Sequence, residues 1–279
     1  MSIRIVGDSC LEFPEELKEK VKCVNVPLTL LLDDRSVKDD ASFDQRAFLK
    51  MVGECKGAPR SACPSPESFM SAYEGEEEWV FVITISADLS GSYNSAMLAS
   101  SLYEEENEGK KKIFVFNSKS ASGGEAQVAL KVHELYEQGE DFEGIVKKTL
   151  EFIDYFKTYF VLESLEVFRK NGRLSKSKAF AANMLNLKPV CMGVNGVIEP
   201  ASIQRGIKKA LSRMVEISLE GVTDTKERTL IINHCNCRER AVGVLADFVS
   251  KAEFKKTMIL DTNGVSTLYA SDGGIIVSF

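Results

Sequence analysis

The chain has 279 residues, of which 44% are hydrophobic and 27% are charged, and its net charge is −6. These values are typical of an ordinary globular protein with enough length for one large or two medium domains. Because acidic residues outnumber basic ones and both are interspersed, general affinity for nucleic acid is disfavoured.

The N-terminus, MSIRIVGDS, begins with a strand-like stretch and lacks the layout of a signal peptide. No apolar run approaches the roughly 18 residues of a membrane helix, so we expect a cytoplasmic protein without stable membrane insertion. The seven cysteines are scattered and form no C-x-x-C pair. The tract HCNC at residues 234–237 fits no common zinc spacing, so we predict neither a metal site nor a cofactor.

The first half of the chain alternates strand-like and helix-like patterns. After the strand at residues 3–6, Pro14 opens a short helix. Residues 23–32 are predicted as one strand and residues 43–52 as an amphipathic helix. The strands at 79–85 and 112–116 are followed by helices at 92–102 and 124–137. This alternation predicts a parallel sheet covered by helices on both faces.

The second half has a different pattern, typical of a mixed sheet. A strand is predicted at 159–162, followed by a helix that ends at Asn171-Gly172. Residues 188–193 and 197–200 are predicted as a hairpin with Asn195-Gly196 at its turn. Further strands are expected at 228–233, 256–260 and 274–279. The predicted fold class is therefore α/β with two domains, an N-terminal α/β domain (1–156) and a C-terminal mixed α/β domain (157–279).

Hydroxyl residues follow several predicted strands, at the edge of the sheet where open α/β proteins bind ligands. Ser90 is predicted as a helix N-cap, so the helix dipole and the first backbone N–H groups would favour an anion there. Gly91 lets a ligand approach the backbone closely. The alternative, that these serines are only caps and turns, stays open. The hydroxyl residues concerned are Ser9, Ser61, Ser90, Ser92, Ser118, Ser120 and Ser122.

Catalysis by the isolated chain has little support in the sequence. Ser90 would need a base, and the two histidines are His133, inside a helical pattern, and His234, at a strand end. The chain contains no G-x-S-x-G elbow, no P-loop and no G-x-G-x-x-G motif. We therefore predict a binding protein and not an enzyme. A hydrolase or acyl transferase using Ser90 with His234, and a small-anion sensor with a shallow cleft, are the alternatives.

Two basic stretches lie in the second half of this acidic chain. They favour a docking face for an acidic partner or a phosphate, although a solvated helix face explains them as well. Their residues are Arg169, Lys170, Arg173, Lys176 and Lys178, then Arg205, Lys208, Lys209 and Arg213.

Five segments spread nearly from end to end form a recognisable set. Four of them are IVGDS (5–9), SACPSP (61–66), ISADLSGSYNSA (85–96) and NSKSAS (117–122), and the fifth is LEVFRKNGRLSKSKAFAANMLNLKP (165–189). Together they resemble the DegV family of bacterial fatty-acid-binding proteins. The fifth segment is the most specific, because it is close to the family's L-E-x-L-x-K-G-G-R-I-S-K…N-x-L-N-I-K-P.

The resemblance implies that two domains clasp one long-chain fatty acid, with the acyl chain in an apolar tunnel between them. In the family, the bound acid is presented to a separate ATP-dependent fatty acid kinase, and the acyl phosphate then feeds phospholipid synthesis. Ser61 matches the family's carboxylate-binding threonine, and Ser90 matches the serine of L-S-G. Together with Gly91 and Ser92 at the helix start, these residues are expected to bind the carboxylate.

The resemblance also assigns residues at two further places. Arg173 and Arg205 match family arginines associated with the kinase-docking face. In the stretch 266–273, Tyr269 falls where the family has a histidine that helps to hold the head group, and a tyrosine hydroxyl can still donate one hydrogen bond. Ala62, Cys63 and Asn117 replace the family's serine, glutamine and aspartate.

Overall fold

The computed structural model describes residues 2–107, 109–174 and 187–279. Its strands, in chain order, are β1 (Ile3–Asp8), β2 (Lys22–Val26), β3 (Thr29–Leu32), β4 (Arg35–Lys38), β5 (Arg60–Ala62), β6 (Trp79–Thr84), β7 (Lys112–Asn117), β8 (Thr158–Val161), β9 (Leu187–Val194), β10 (Val197–Arg205), β11 (Thr229–His234), β12 (Lys256–Asp261) and β13 (Ile275–Ser278).

The α-helices in the same ranges connect these strands. None of them is both long enough and apolar enough to cross a membrane. They are α1 (Glu15–Lys18), α2 (Gln45–Glu54), α3 (Pro66–Tyr73), α4 (Ser92–Asn107), α5 (Gly123–Glu137), α6 (Phe142–Ile153), α7 (Glu166–Lys170), α8 (Ile207–Leu219), α9 (Arg238–Lys251) and α10 (Gly264–Ala270).

The first sheet is parallel, with the strand order β2-β1-β6-β7. Its central strands β1 and β6 are buried on both faces, which explains their nearly continuous apolar runs. Phe81 and Ile83 face α5 and α6, whereas Val80 and Val82 face α3 and α4. The predicted parallel sheet with helices on both faces is confirmed.

The second sheet is mixed, as predicted, with the order β10-β9-β8-β13-β11-β12. All neighbouring strands pair antiparallel except β11 and β12, which are parallel. Helices α8 and α9 cover one face through a core that includes Met214 and Phe248. The other face, with Phe160 and Ile198, turns toward α7 and α10.

The prediction of a single strand at residues 23–32 is wrong. Strand β2 ends at Val26, and β3 begins at Thr29 in a different, three-stranded antiparallel sheet with the order β4-β3-β5. Pro27 lies between the two strands, where it lacks the N–H that a continuing ladder requires. This small sheet carries Ser61 on β5, and its buried leucines pack against α10.

Helix α5 joins the two larger sheets. The Gln127 side-chain amide donates hydrogen bonds to the carbonyls of Thr229 (2.8 Å) and Ser278 (2.9 Å). Gly123, at the start of α5, lies so close to Asn233 of β11 that an added Cβ would be 2.2 Å from its Oδ1 atom. The residue has to be a glycine because no side chain fits this approach. The predicted division after residue 156 falls between α6 and β8.

Candidate functional site

A narrow cavity lies where the two larger sheets meet, beyond the carboxyl ends of β1 and β6. The free space between its walls, including its mouth, is about 810 Å³. The centre of a water molecule can occupy about 80 Å³ of this space. Its walls come from α7, α10 and the β9–β10 hairpin, and most of its lining is apolar. The larger apolar side chains are Leu28, Ile85, Leu89, Phe160, Leu162, Phe168, Ile198 and Ile276.

Polar side chains gather at one place in this lining. The Ser61 hydroxyl lies 3.4 Å from the Tyr269 hydroxyl. The Arg173 guanidinium lies 5.5 Å from the centre of the Tyr269 ring, and its Nε atom donates to the carbonyl of Leu89 at 2.8 Å. Ser90 lines the same cavity and follows Leu89 directly. Hydroxyl donors and a cation converging on an apolar cavity suit a carboxylate.

The structure explains how Tyr269 comes to this place. The stretch 266–273 contains most of helix α10, and Asp39 accepts the backbone N–H groups of Gly264 (2.6 Å) and Val265 (2.7 Å) at the helix N-terminus. This carboxylate anchors the helix to the segment after β4. The ring of Tyr269 is 4.8 Å from that of Phe168, and the residue is 8% exposed.

The two serines predicted at the start of α4, Ser90 and Ser92, have different surroundings in the structure. The Ser90 hydroxyl accepts the backbone N–H of Ser92 at 3.3 Å, as a cap would. Ser92 is fully buried, and its hydroxyl lies 3.2 Å from the Ser90 hydroxyl. Gly91 is exposed, and an added Cβ would lie 3.0 Å from Cys63 Sγ. Neither Gly91 nor Ser92 lines the cavity.

The two arginines assigned to a docking face lie in different surroundings. Arg173 is partly buried and lines the cavity, whereas Arg205 is exposed at the end of β10. Lys208 and Lys209 are exposed nearby, at the start of α8. Lys176 and Lys178 lie outside the described residues.

Sequence reasoning missed four polar residues of the lining: Cys10, Lys119, Thr158 and Ser266. Thr158 is the first residue of a strand and Cys10 follows Ser9 in the loop after β1, so neither carries a local signal of a site. Ser120 and Ser122, from the hydroxyl-rich segment after β7, do line the cavity.

Three buried acids lie behind the part of the cavity lining that Cys10 and Ser122 form. Burial raises the pKa of Asp8 to about 6 and that of Glu12 to about 7, and it raises the pKa of Glu125 well above its ordinary value. Glu12 is surrounded by donors, including the Ser122 hydroxyl at 2.7 Å and the Asn263 N–H at 3.0 Å. Glu125 lies against Asp8, so their like charges favour a shared proton.

Asp8, Cys10 and Glu125 also bring their ligand-type atoms within 4.8 Å of one another, the spacing of a possible metal site. Each is at most 2% exposed. The Asp8 carboxylate already accepts the backbone N–H groups of Cys10 (3.1 Å) and Ile85 (3.0 Å). Since burial also raises the pKa of the Cys10 thiol, protons suit this cluster better than a cation does.

His234 does not reach the cavity that Ser90 lines. Its Nδ1 atom accepts the backbone N–H of Cys237 at 3.3 Å, and its Nε2 atom lies 3.4 Å from Asp261. The residue is 2% exposed, and burial lowers its pKa. The Ser90–His234 pair that a hydrolase would need is therefore not assembled. The apolar lining likewise does not match the shallow polar cleft of a small-anion sensor.

A sequence profile of the family described as "Uncharacterised protein, DegV family" matches residues 2–279. The chain belongs to the DegV family. Among curated DegV domain-containing proteins, one from Streptococcus pneumoniae strain R6 is 31% identical, over 100% of this chain and 99% of its own length. One from Streptococcus gordonii is 32% identical with the same coverage.

Solved DegV structures share the whole fold. One from Ruminococcus gnavus, refined with vaccenic acid, has a TM-score of 0.95 and 42% identity, and the match covers 100% of both chains. The Fak B3 protein of the Streptococcus pneumoniae fatty acid kinase, loaded with linoleic acid, has a TM-score of 0.88 and 30% identity. That match covers 100% of this chain and 99% of the other. A Eubacterium eligens protein loaded with heptadecanoic acid reaches 0.90 at 28% identity, with 99% of both chains covered.

Proposed function

We propose that this DegV protein binds one long-chain fatty acid in the cavity between its sheets. The observation that carries the proposal is the apolar cavity with Ser61, Ser90, Tyr269 and Arg173 gathered at one place in its wall. Solved structures of DegV proteins that match this chain over its whole length, and that were refined or loaded with fatty acids, support it. The protein would be a carrier and not an enzyme.

The two ends of such a ligand contribute differently. Each buried CH₂ group contributes about 0.8 kcal/mol, so the acyl chain supplies most of the affinity. The carboxylate fixes the orientation and contributes the smaller share, since each hydrogen bond to a charged group is worth about 1.5–3 kcal/mol after its bonds to water are lost.

Each polar residue has a distinct place in this proposal. Ser61, Ser90 and Tyr269 would donate hydroxyl hydrogen bonds, and Arg173 would supply the opposite charge. Gly91 and Ser92 would act through Ser90, since the Ser92 N–H and hydroxyl hold the Ser90 side chain in position.

Calorimetric titration of the delipidated protein tests the binding proposal. Palmitic acid should bind in a 1:1 ratio, whereas the alcohol of the same chain length, which lacks the carboxylate, should bind more weakly. Absence of any binding by the acid would contradict the proposal. Equal affinity for the alcohol would contradict the assigned carboxylate site.

We further propose that the bound acid is presented to an ATP-dependent fatty acid kinase in the cytoplasm. The kinase would transfer the terminal phosphoryl group of ATP to a carboxylate oxygen, releasing ADP and leaving an acyl phosphate. The naming of the Streptococcus pneumoniae relative as a fatty acid kinase protein supports this partnership. The exposed Arg205, beside Lys208 and Lys209, supplies a positive surface for docking.

Charge reversal at this surface tests the partnership. Arg205→Glu should leave the fatty-acid affinity unchanged and lower acyl phosphate formation by a fatty acid kinase about ten-fold or more. Arg46→Glu, an exposed arginine on α2, is the control. Equal rates for both variants and for the unmodified protein would contradict a docking role for Arg205.

A further inference from the structure

One part of the cavity wall consists of two hydroxyl groups and a glycine. The Ser120 and Thr158 hydroxyls lie 2.8 Å apart and are buried. Gly193 of β9 lies against the same place, where an added Cβ would be 4.0 Å from Thr158 Cβ and 4.0 Å from the Lys119 carbonyl.

A row of contacts leads from the polar cluster to this wall. The Phe168 ring is 4.8 Å from Tyr269 and 6.1 Å from Phe160. Thr158 and Phe160 are alternate residues of β8, so they share one face of the strand. At about 3.3 Å per residue, Thr158 lies about 7 Å from Phe160. The wall therefore lies beyond Phe160 on a path that starts at Tyr269.

The wall is thin. On its other side lies a second pocket, whose free space including its mouth is about 790 Å³, and which shares Ser120, Thr158, Lys119 and Gly193 with the cavity. This pocket opens at the surface, since its other lining residues include the exposed Asp154 and Tyr155. Gly193 itself is exposed although it also lines the cavity.

We propose that the Ser120–Thr158 hydroxyl pair and the side-chain-free backbone of Gly193 form the end stop that sets the longest acyl chain the cavity accepts. This inference rests on the proposed fatty-acid function and names the residues that select among acids. Each hydroxyl has a hydrogen-bond partner in the other, so a terminal methyl group can contact the pair without displacing that bond. Gly193 leaves room that a side chain would fill.

The end stop predicts opposite effects for two changes. Gly193→Val adds a β-branched side chain that suits a strand and shortens the space. Each methylene that is kept out costs about four-fold in affinity, so retention of the longest accepted acid should fall at least about ten-fold. Ser120→Ala combined with Thr158→Ala removes both hydroxyls and should shift retention toward longer acids.

A competition experiment tests the proposal. Delipidated protein is incubated with an equimolar mixture of decanoic, myristic, palmitic, stearic and arachidic acids, and the retained acids are measured by mass spectrometry. Gly243→Val, at an exposed position on α9 with open space around it, is the matched control and should keep the unmodified profile.

The outcomes separate the two proposals. Shorter acids retained by Gly193→Val and longer acids retained by the double alanine variant support the end stop. If all variants retain the same acids as the unmodified protein, the end stop is overturned and fatty-acid binding stands. If the unmodified protein retains no acid, both are overturned. Should Gly193→Val fail to fold, the double variant decides the matter, because it only shortens two side chains.

Discussion

At the scale of single residues, Tyr269 combines three contacts that fit a head-group site. Its hydroxyl faces Ser61, its ring lies under the Arg173 guanidinium, and Phe168 packs against its side. The ring thus joins the polar and the apolar parts of the cavity. The family histidine that this position replaces by resemblance would share the ability to donate one hydrogen bond.

Tyr269→Phe isolates the hydroxyl, because the ring contacts remain. A hydrogen bond to a charged group contributes about 1.5–3 kcal/mol, so the fatty-acid affinity should fall by about ten-fold or more. Titration calorimetry of the delipidated protein measures this loss. Tyr103→Phe, on α4 and outside the cavity lining, is the control. Unchanged affinity for Tyr269→Phe would show that its hydroxyl does not bind the ligand.

The buried acids give the stability a defined pH dependence. Asp8, Glu12 and Glu125 all have raised pKa values in the folded protein, so the folded state binds more protons than the unfolded state above about pH 4. The free energy of unfolding should therefore fall as the pH rises from about 4, past the pKa values of about 6 for Asp8 and about 7 for Glu12.

Glu125→Gln tests this dependence. The amide cannot ionise, so the variant should be more stable than the unmodified protein at pH 8, by about 1.4 kcal/mol for each unit of raised pKa. Denaturant titrations between pH 5 and pH 8 should show a smaller loss of stability for the variant. Glu105→Gln, exposed on α4, should keep the original slope. Equal slopes for Glu125→Gln and the unmodified protein would refute the raised pKa.

At the scale of elements, the β9–β10 hairpin closes one side of the cavity. The Ser86 hydroxyl donates to the Gly196 carbonyl at 2.7 Å, which ties the hairpin turn to the loop after β6. Gly196 has a φ of +88°, and an added Cβ would lie 2.7 Å from Ser86 Oγ and 2.8 Å from Asp88 Oδ2. Only glycine suits both constraints.

Gly196→Ala should loosen this contact. The positive φ costs about 1–2 kcal/mol for a side chain, and the close contacts would push the turn away from Ser86. We expect a lower melting temperature and weaker fatty-acid binding. Gly221→Ala, at φ +73° with nothing within 4 Å, carries the backbone cost alone and should keep its affinity. Equal binding losses in both variants would contradict a special role for the hairpin turn.

The sequence was sufficient to predict elements whose pattern is local. The predicted bounds of strand β6 and helix α5 agree with the structure within a residue or two, because their apolar patterns are local to each segment. The small β4-β3-β5 sheet is not predicted, because the predicted strand at 23–32 continues across Pro27. In addition, antiparallel partners that are far apart in the chain leave no local pattern.

The site was only partly predictable for the same reason. Ser90 and Ser92 have the same chemistry and differ by two residues, yet the fold turns the first to the cavity and buries the second against Asp8. Arg173 belongs to a basic cluster that favours a docking surface, and only the tertiary contact with Tyr269 shows it at the cavity. Which side a residue faces depends on packing between distant segments.

At the scale of the whole molecule, the cavity lies between two sheets whose cores meet at α5, where Ile231 of β11 joins the core of the first sheet. A ligand there contacts α7, α10, the hairpin and the loop after β6 at once, so it adds contacts between the two halves. Binding to the folded state alone stabilises it by mass action.

Removal of lipid should therefore lower the melting temperature. Palmitic acid at about one hundred times its dissociation constant should contribute about 2.7 kcal/mol, or about 5–10 °C for a chain of this size. Differential scanning calorimetry of delipidated and reloaded protein measures this shift. A melting temperature that does not respond to the acid would contradict binding to the folded state.

Native mass spectrometry of the gently purified protein, followed by lipid extraction, tests the central claim most directly. We expect one long-chain fatty acid per chain, released on denaturation and identified in the extract. A protein that carries no acid, and that after exposure to added fatty acids still shows only the mass of the chain, would contradict the account.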